Sequence, residues 1–133
     1  MNRLRSIKGL LIGAALAAVA SGTAWAGLKS NSTVFINTTT RIANGNLGAA
    51  RNTADAVQYI GCYTNALTGS VSMVCYARDA AGVTVSCNST SANLLNVVHG
   101  LNGDSHLWFS WNTSGACTEV DVYNVSQTPV KNH

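Results

Sequence analysis

Charged side chains are scarce in this sequence: Lys, Arg, Asp and Glu make up 10% of its 133 residues. The formal net charge of +3 overstates even that, because Arg3, Arg5 and Lys8 all stand at the extreme N-terminus. Past residue 26 the bases Lys29, Arg41, Arg51, Arg78 and Lys131 are matched by the acids Asp55, Asp79, Asp104, Glu119 and Asp121. A neutral chain exerts no bulk attraction on nucleic acid or an anionic membrane, which argues against both as partners. It also has weak electrostatic protection against self-association. Long apolar runs are missing as well. Leu10 to Ala20 falls short of the roughly 18 to 20 residues that a membrane-spanning helix needs.

Catalytic signatures are the next absence. Nucleophilic catalysis needs a Ser or Cys with a base in reach, and no G-x-S-x-G elbow singles out a serine. His99, Asp104 and His106 fall in HGLNGDSH. A spacing of seven between the histidines, with one local carboxylate, matches no zinc or calcium pattern. The plain reading is a His favoured at a helix C-terminus followed by an Asn-Gly-Asp turn. Glu119 and Asp121 are two apart on a strand and share a face, which could bring them near glycosidase spacing. Neighbouring strand acids are ordinarily solvated side chains. No catalytic residue, metal or cofactor is therefore assigned, and the chain reads as a non-enzyme.

What is present starts with a leader. Arg3, Arg5 and Lys8 form a positive n-region, Leu10 to Ala20 an apolar h-region, and Ala24-Trp25-Ala26 an A-x-A-like cleavage site. Residues 1–26 read as a secretory signal peptide, and the mature chain is expected to begin at Gly27 in the periplasm or outside the cell. The remaining stretch of about 107 residues is one domain. Export makes Cys62, Cys75, Cys87 and Cys117 oxidisable, so they read as a two-disulfide framework and not as metal ligands.

Ser32 to Thr40 (STVFINTTT) is β-branched and reads as a strand. Ile42 to Asp55 (IANGNLGAARNTAD) lacks periodicity and reads as a flexible loop that tethers it. Residues 27–56 thus form an N-terminal strand and loop, residues 57–126 the core domain, and residues 127–133 a C-terminal tail. Val57 to Cys87 reads as two hairpins in series. With Thr68-Gly69 as a two-residue turn, Cys62 faces Cys75 at a non-hydrogen-bonded site. With Ala80-Ala81-Gly82 as a three-residue loop with Gly left-handed, Cys75 also faces Cys87. Ile60, Cys62, Val71, Met73, Cys75, Ala77, Val83, Val85 and Cys87 share the core face. Tyr59, Tyr63, Val74, Tyr76 and Arg78 share the other.

Ser91 to Leu101 switches to helical spacing, with Leu94, Leu95 and Val98 on one stripe, Ser91 as N-cap and Gly100 as a left-handed C-cap. A last hairpin, His106 to Asn112 and Thr118 to Val125, buries Leu107, Phe109 and Trp111 with Val120 and Val122. Strict alternation points Cys117 away from that core, a conflict that a bulge near the turn or a bridge around the sheet edge resolves. The favoured pairing is Cys62–Cys75 with Cys87–Cys117, and its rival is Cys75–Cys87 with Cys62–Cys117. The fold class is α+β: a disulfide-stabilised antiparallel sheet of four to five strands with one short helix packed on it.

The segments YIGC, CYARDAAG and WNTSGACT together resemble a set of uncharacterised short secreted bacterial proteins, over Gly45 to Tyr123 at most. That resemblance implies a bacterial source and transfers no activity or site residue. In such a source the five Asn-x-Ser/Thr sequons, at Asn31, Asn37, Asn88, Asn112 and Asn124, are generally unused.

Two surfaces stand out. His106, Trp108, Glu119, Asp121 and Tyr123 form the outward face of the last hairpin, where an exposed Trp beside Tyr and acids can stack on sugar rings or anchor a protein. Covering of Trp108 by the N-terminal strand is the competing expectation. Val34, Phe35 and Ile36 form a candidate assembly strand that could complete a neighbour's sheet. The leading expectation is a secreted, non-catalytic protein acting through its surfaces, with a subunit of an extracellular assembly or filament as one such role and itself as partner. The alternative is a secreted binding module or inhibitor of another extracellular protein or glycan, and a small hydrolase comes last.

Overall fold

The computed structural model describes residues 27–131, so the leader read at residues 1–26 lies outside the described residues. Seven strands and two short helices follow in order: β1 (Phe35–Asn37), β2 (Ile42–Asn46), α1 (Leu47–Arg51), β3 (Tyr59–Leu67), β4 (Ser70–Arg78), β5 (Thr84–Ser89), α2 (Ala92–Val98), β6 (His106–Trp111) and β7 (Cys117–Tyr123). The class is α+β, all sheet pairing is antiparallel and two disulfides are closed. The strands divide into two sheets, β3-β4-β5 and β1-β2-β6-β7.

The three-stranded sheet follows from its turns. Leu67 pairs with Ser70 across Thr68-Gly69, which sets Cys62 opposite Cys75. Their Cα atoms stand 4.0 Å apart and the disulfide joins them, the close approach of a non-hydrogen-bonded pair. The next turn closes through Gly82 at φ 85°, and Asp79 Oδ1 accepts from the Val83 amide. Cys75 therefore faces Cys87 too. With Cys75 engaged by Cys62, Cys87 bonds Cys117 of β7 and staples one sheet to the other. Ile60, Met73, Cys75, Ala77 and Cys87 are buried. Val71 and Val83, expected on the core face, are 43% and 41% exposed, because each lies by a turn at the hairpin ends, beyond the second sheet's cover. Tyr59, Tyr63 and Tyr76 form an exposed ladder on the other face, with ring centroids 5.6 and 6.1 Å apart.

The four-stranded sheet corrects the loop expected over Ile42 to Asp55. Its first half is β2, paired with both β1 and β6, and α1 follows at once. Small residues hid this. Ala43 is fully buried opposite Phe109, and a side chain on Gly45 would press on the Thr33 carbonyl at 3.2 Å. Such positions are filled by a neighbour's atoms and carry no apolar periodicity of their own. The strand expected over Ser32 to Thr40 shortens to β1, because Asn37 Oδ1 accepts from the Thr39 and Thr40 amides and turns the chain into β2.

β6 and β7 pair with a register shift at Ser110/Trp111: Ser110 faces Glu119 but Trp111 faces Cys117, leaving Thr118 as the extra residue. This bulge turns Cys117 inward, where it is 7% exposed. Leu107, Phe109 and Val120 are buried beside it, and Trp111 and Val122 pack against them.

Helix α2 buries Leu95 and Val98 against the same cluster, with Leu94 partly covered. Its end differs from expectation. Gly100 does not adopt a left-handed φ; the helix tightens into i→i−3 bonds, Gly100 to Val97 and Leu101 to Val98. Ser91 takes the extended N-cap backbone without a side-chain bond. Residues 127–131, expected as a tail, are strapped down. Ser30 N–H donates to the Gln127 carbonyl, Asn52 Nδ2 to that of Val130 and Lys131 N–H to Asp104 Oδ1. The Pro129 carbonyl lies so close to Gly48 that a Cβ there would meet it at 2.1 Å.

Candidate functional site

The outward face of the four-stranded sheet is built in rows by strand register. Phe35, Asn44, Trp108 and Asp121 stand across one row, and Asn46, His106 and Tyr123 across the next. The N-terminal strand does not cover Trp108, as one expectation had it; β1 joins the sheet edge-on. What does lie over this face is the pair of chain ends. Ser30 and residues 125–128 run past the end carrying Asn46, leaving a cleft of about 320 Å³ lined by Ser30, Asn46, His106, Trp108, Tyr123, Val125, Gln127 and Thr128.

Of the five residues expected on this surface, His106, Trp108 and Tyr123 line the cleft, whereas Glu119 and Asp121 do not. Asp121 acts on it indirectly. Tyr123 Oη donates to Asp121 Oδ2 at 3.3 Å, and the Asp121 charge, followed by partial burial, raises the phenol above its ordinary value. Tyr123 accordingly remains a neutral donor and ring. Glu119 sits further along β7 opposite Ser110.

Asn46 organises the floor. It is 1% exposed, its Nδ2 donates to the Ser30 carbonyl, and its Oδ1 lies 2.6 Å from His106 Nδ1. An amide oxygen only accepts, so His106 Nδ1 carries the proton and Nε2 is left as an acceptor. Burial pushes the His106 pKa below its ordinary 6.5, and the ring is neutral at pH 7. Its edge meets Tyr123 at a centroid distance of 5.7 Å. Among the described residues no serine or cysteine hydrogen-bonds to His106. Trp108, half-buried at the middle of β6, completes the aromatic wall.

The other residues of HGLNGDSH go elsewhere. His99 ends α2, and Asp104 accepts from Lys131. Among the described residues there is no group of three His, Cys, Asp or Glu side chains placed to hold a metal ion.

Sequence reasoning missed Asn46, Ser30, Gln127 and Thr128. Asn46 lay in a stretch read as loop, Ser30 precedes the expected N-terminal strand, and Gln127 and Thr128 belong to the segment read as a C-terminal tail. The one available signal was Gly48, whose lack of a side chain is required by a strap no local pattern reveals. The candidate assembly strand pairs with β2 on one side and forms the outer edge of its sheet on the other; Val34 is buried, Ile36 packs on the core, and Phe35, 50% exposed, faces outward. A second cleft of about 270 Å³, bordered by Arg51, Tyr59 and Lys131, lies beside α1. No helix among the described residues is long and apolar enough to cross a membrane. Searches against known protein families, curated proteins and solved structures each find no match.

Proposed function

We propose that this chain is a secreted, non-catalytic binding module whose working surface is the cleft between Trp108, Tyr123, His106 and the two chain ends. The observation that carries this reading is the construction of the cleft: two aromatic rings and a neutral imidazole, held by a buried asparagine, in a concavity that core packing does not need. Export is supported by the leader pattern and by two closed disulfides, a combination suited to the periplasm or the outside of the cell.

Self-assembly is the second reading, favoured by the neutral mature chain and the exposed Tyr59, Tyr63 and Tyr76 ladder. The strand that motivated it, β1, is paired with β2 on one side and open on the other, so assembly would use that outer edge or this ladder. A fragment screen by NMR on the mature protein separates the two. Chemically mixed fragments are expected to perturb the cleft residues, with Trp108→Ala removing those responses in a protein that remains folded. Fragments that perturb only the tyrosine ladder would count against the cleft.

A further inference from the structure

We infer that the cleft takes a neutral saccharide ring, stacked against Trp108 and Tyr123 and hydrogen-bonded by Gln127, Thr128 and His106. This assignment rests on the binding-module reading above and names its ligand class. Charge excludes the main competitors. Among the described residues no Lys or Arg lines the cleft, and the nearest charge is the Asp121 carboxylate on Tyr123 Oη, so a phosphate or a uronate would lose its hydration without meeting a counter-charge. An extended peptide fares no better. It binds a sheet most readily by adding a strand to an open edge, and addition at the outer edge of β7 would run beside Tyr123 and leave Trp108, on the inner strand β6, unused.

What the walls do offer is an apolar ring surface beside uncharged donors and acceptors. A neutral sugar has the matching pattern, a C–H face for the aromatic rings and hydroxyls that both donate and accept. The Gln127 amide supplies one donor and one acceptor. The Thr128 hydroxyl already donates to the Val125 carbonyl at 2.7 Å, which leaves it as an acceptor. His106 Nε2 is a third acceptor, fixed by the hydrogen bond that Nδ1–H donates to Asn46 Oδ1. A cleft of about 320 Å³ is at the small end of ligand sites, which suits the end of a glycan more than the middle of a long one.

Isothermal titration of the mature protein tests this with a defined panel: neutral disaccharides of glucose, galactose, mannose and N-acetylglucosamine, a digalacturonate, choline, inorganic phosphate and a neutral tripeptide. At least one neutral disaccharide is expected to bind. Trp108→Ala should weaken it by about tenfold or more, and Tyr123→Phe, which keeps the ring, by no more than about twofold, on the scale of aromatic contacts. Trp108→Phe provides a second, gentler variant, expected to fall between wild type and Trp108→Ala, should the alanine chain fail to fold. The saccharide assignment is overturned if no neutral disaccharide binds. If choline, phosphate, digalacturonate or tripeptide alone binds and Trp108→Ala abolishes it, the ligand class is wrong while the cleft stands. If a disaccharide binds undiminished by Trp108→Ala and Trp108→Phe but is lost in Tyr76→Ala, the cleft itself is wrong.

Discussion

Two buried positions concentrate the consequences of this fold at the scale of single residues. Asn46 satisfies Ser30 and His106 at once, so Asn46→Ala leaves the Nδ1–H of His106 and a carbonyl without their partners and should cost about 2 kcal/mol. His106 also carries a pH signature. Burial holds its folded pKa below the unfolded value of 6.5, so the fold favours the neutral ring. That contribution is complete above about pH 6.5 and is lost as pH falls below it toward the folded value. Asp55 behaves likewise in a lower window. Hydrogen bonds from the Gln58 side chain and from the Gln58 and Val57 amides lower it from 3.8 to about 2. Its contribution is present above pH 3.8 and lost on descent toward pH 2. Thermal midpoints measured against pH should therefore fall in two steps, the upper one missing in His106→Gln. An unchanged slope in that variant between pH 6.5 and 5 would contradict the assignment. Gly48 is the other position. A Cβ there meets the Pro129 carbonyl, so Gly48→Ala should destabilise by about 1 to 3 kcal/mol, the scale of overpacking. Chemical denaturation of both chains measures it, and a neutral result would mean that the strap lifts freely.

At the scale of elements, the bulge at Thr118 decides the disulfide pattern. Without it Cys117 would share a face with Glu119 and Asp121 and turn away from Cys87. Deleting Thr118 instead removes the extra residue and leaves Cys117 opposite Trp111 in regular inward alternation with Val120, so Cys87–Cys117 and Cys62–Cys75 should both stay closed. Peptide mapping reads this directly, and two alkylatable thiols at Cys87 and Cys117 in the deletion would contradict the placement of the extra residue at Thr118. The elements divide cleanly into those that sequence patterns expose and those that they do not. Hairpins closed by Thr68-Gly69 and Gly82, α2 with its Leu95 and Val98 stripe, and the last hairpin are local features, each carrying its own turn chemistry or period. β2 and α1 are not. Residues such as Ala43, Gly45 and Gly48 are small because distant segments rest on them, and that information resides in Phe109, Thr33 and Pro129. The cleft shares this division. His106, Trp108 and Tyr123 were legible by alternation along two strands, whereas Asn46, Ser30, Gln127 and Thr128 meet only after both chain ends fold back.

The whole molecule is a closed unit in which early and late segments depend on one another. β1 and β2 complete the sheet on β6, and the N-terminal stretch bonds to the C-terminal strap through Ser30 and Gln127. Removing residues 27–43 should accordingly strip β6 of a neighbour and expose the sheet edge, giving an aggregating or unfolded product. A folded monomer from that deletion, by size exclusion and circular dichroism, would show that the N-terminal segment is dispensable and free to pair elsewhere. In the proposed role the Trp108 face is an open binding cleft and not a subunit interface. Acrylamide quenching of Trp108 in Trp111→Phe protein produced from Gly27 onward, which contains no other tryptophan, is the test. The expected result is a monomer whose Trp108 is equally accessible at low and high protein concentration; protection that grows with concentration alongside an oligomer would show that this face is a subunit interface.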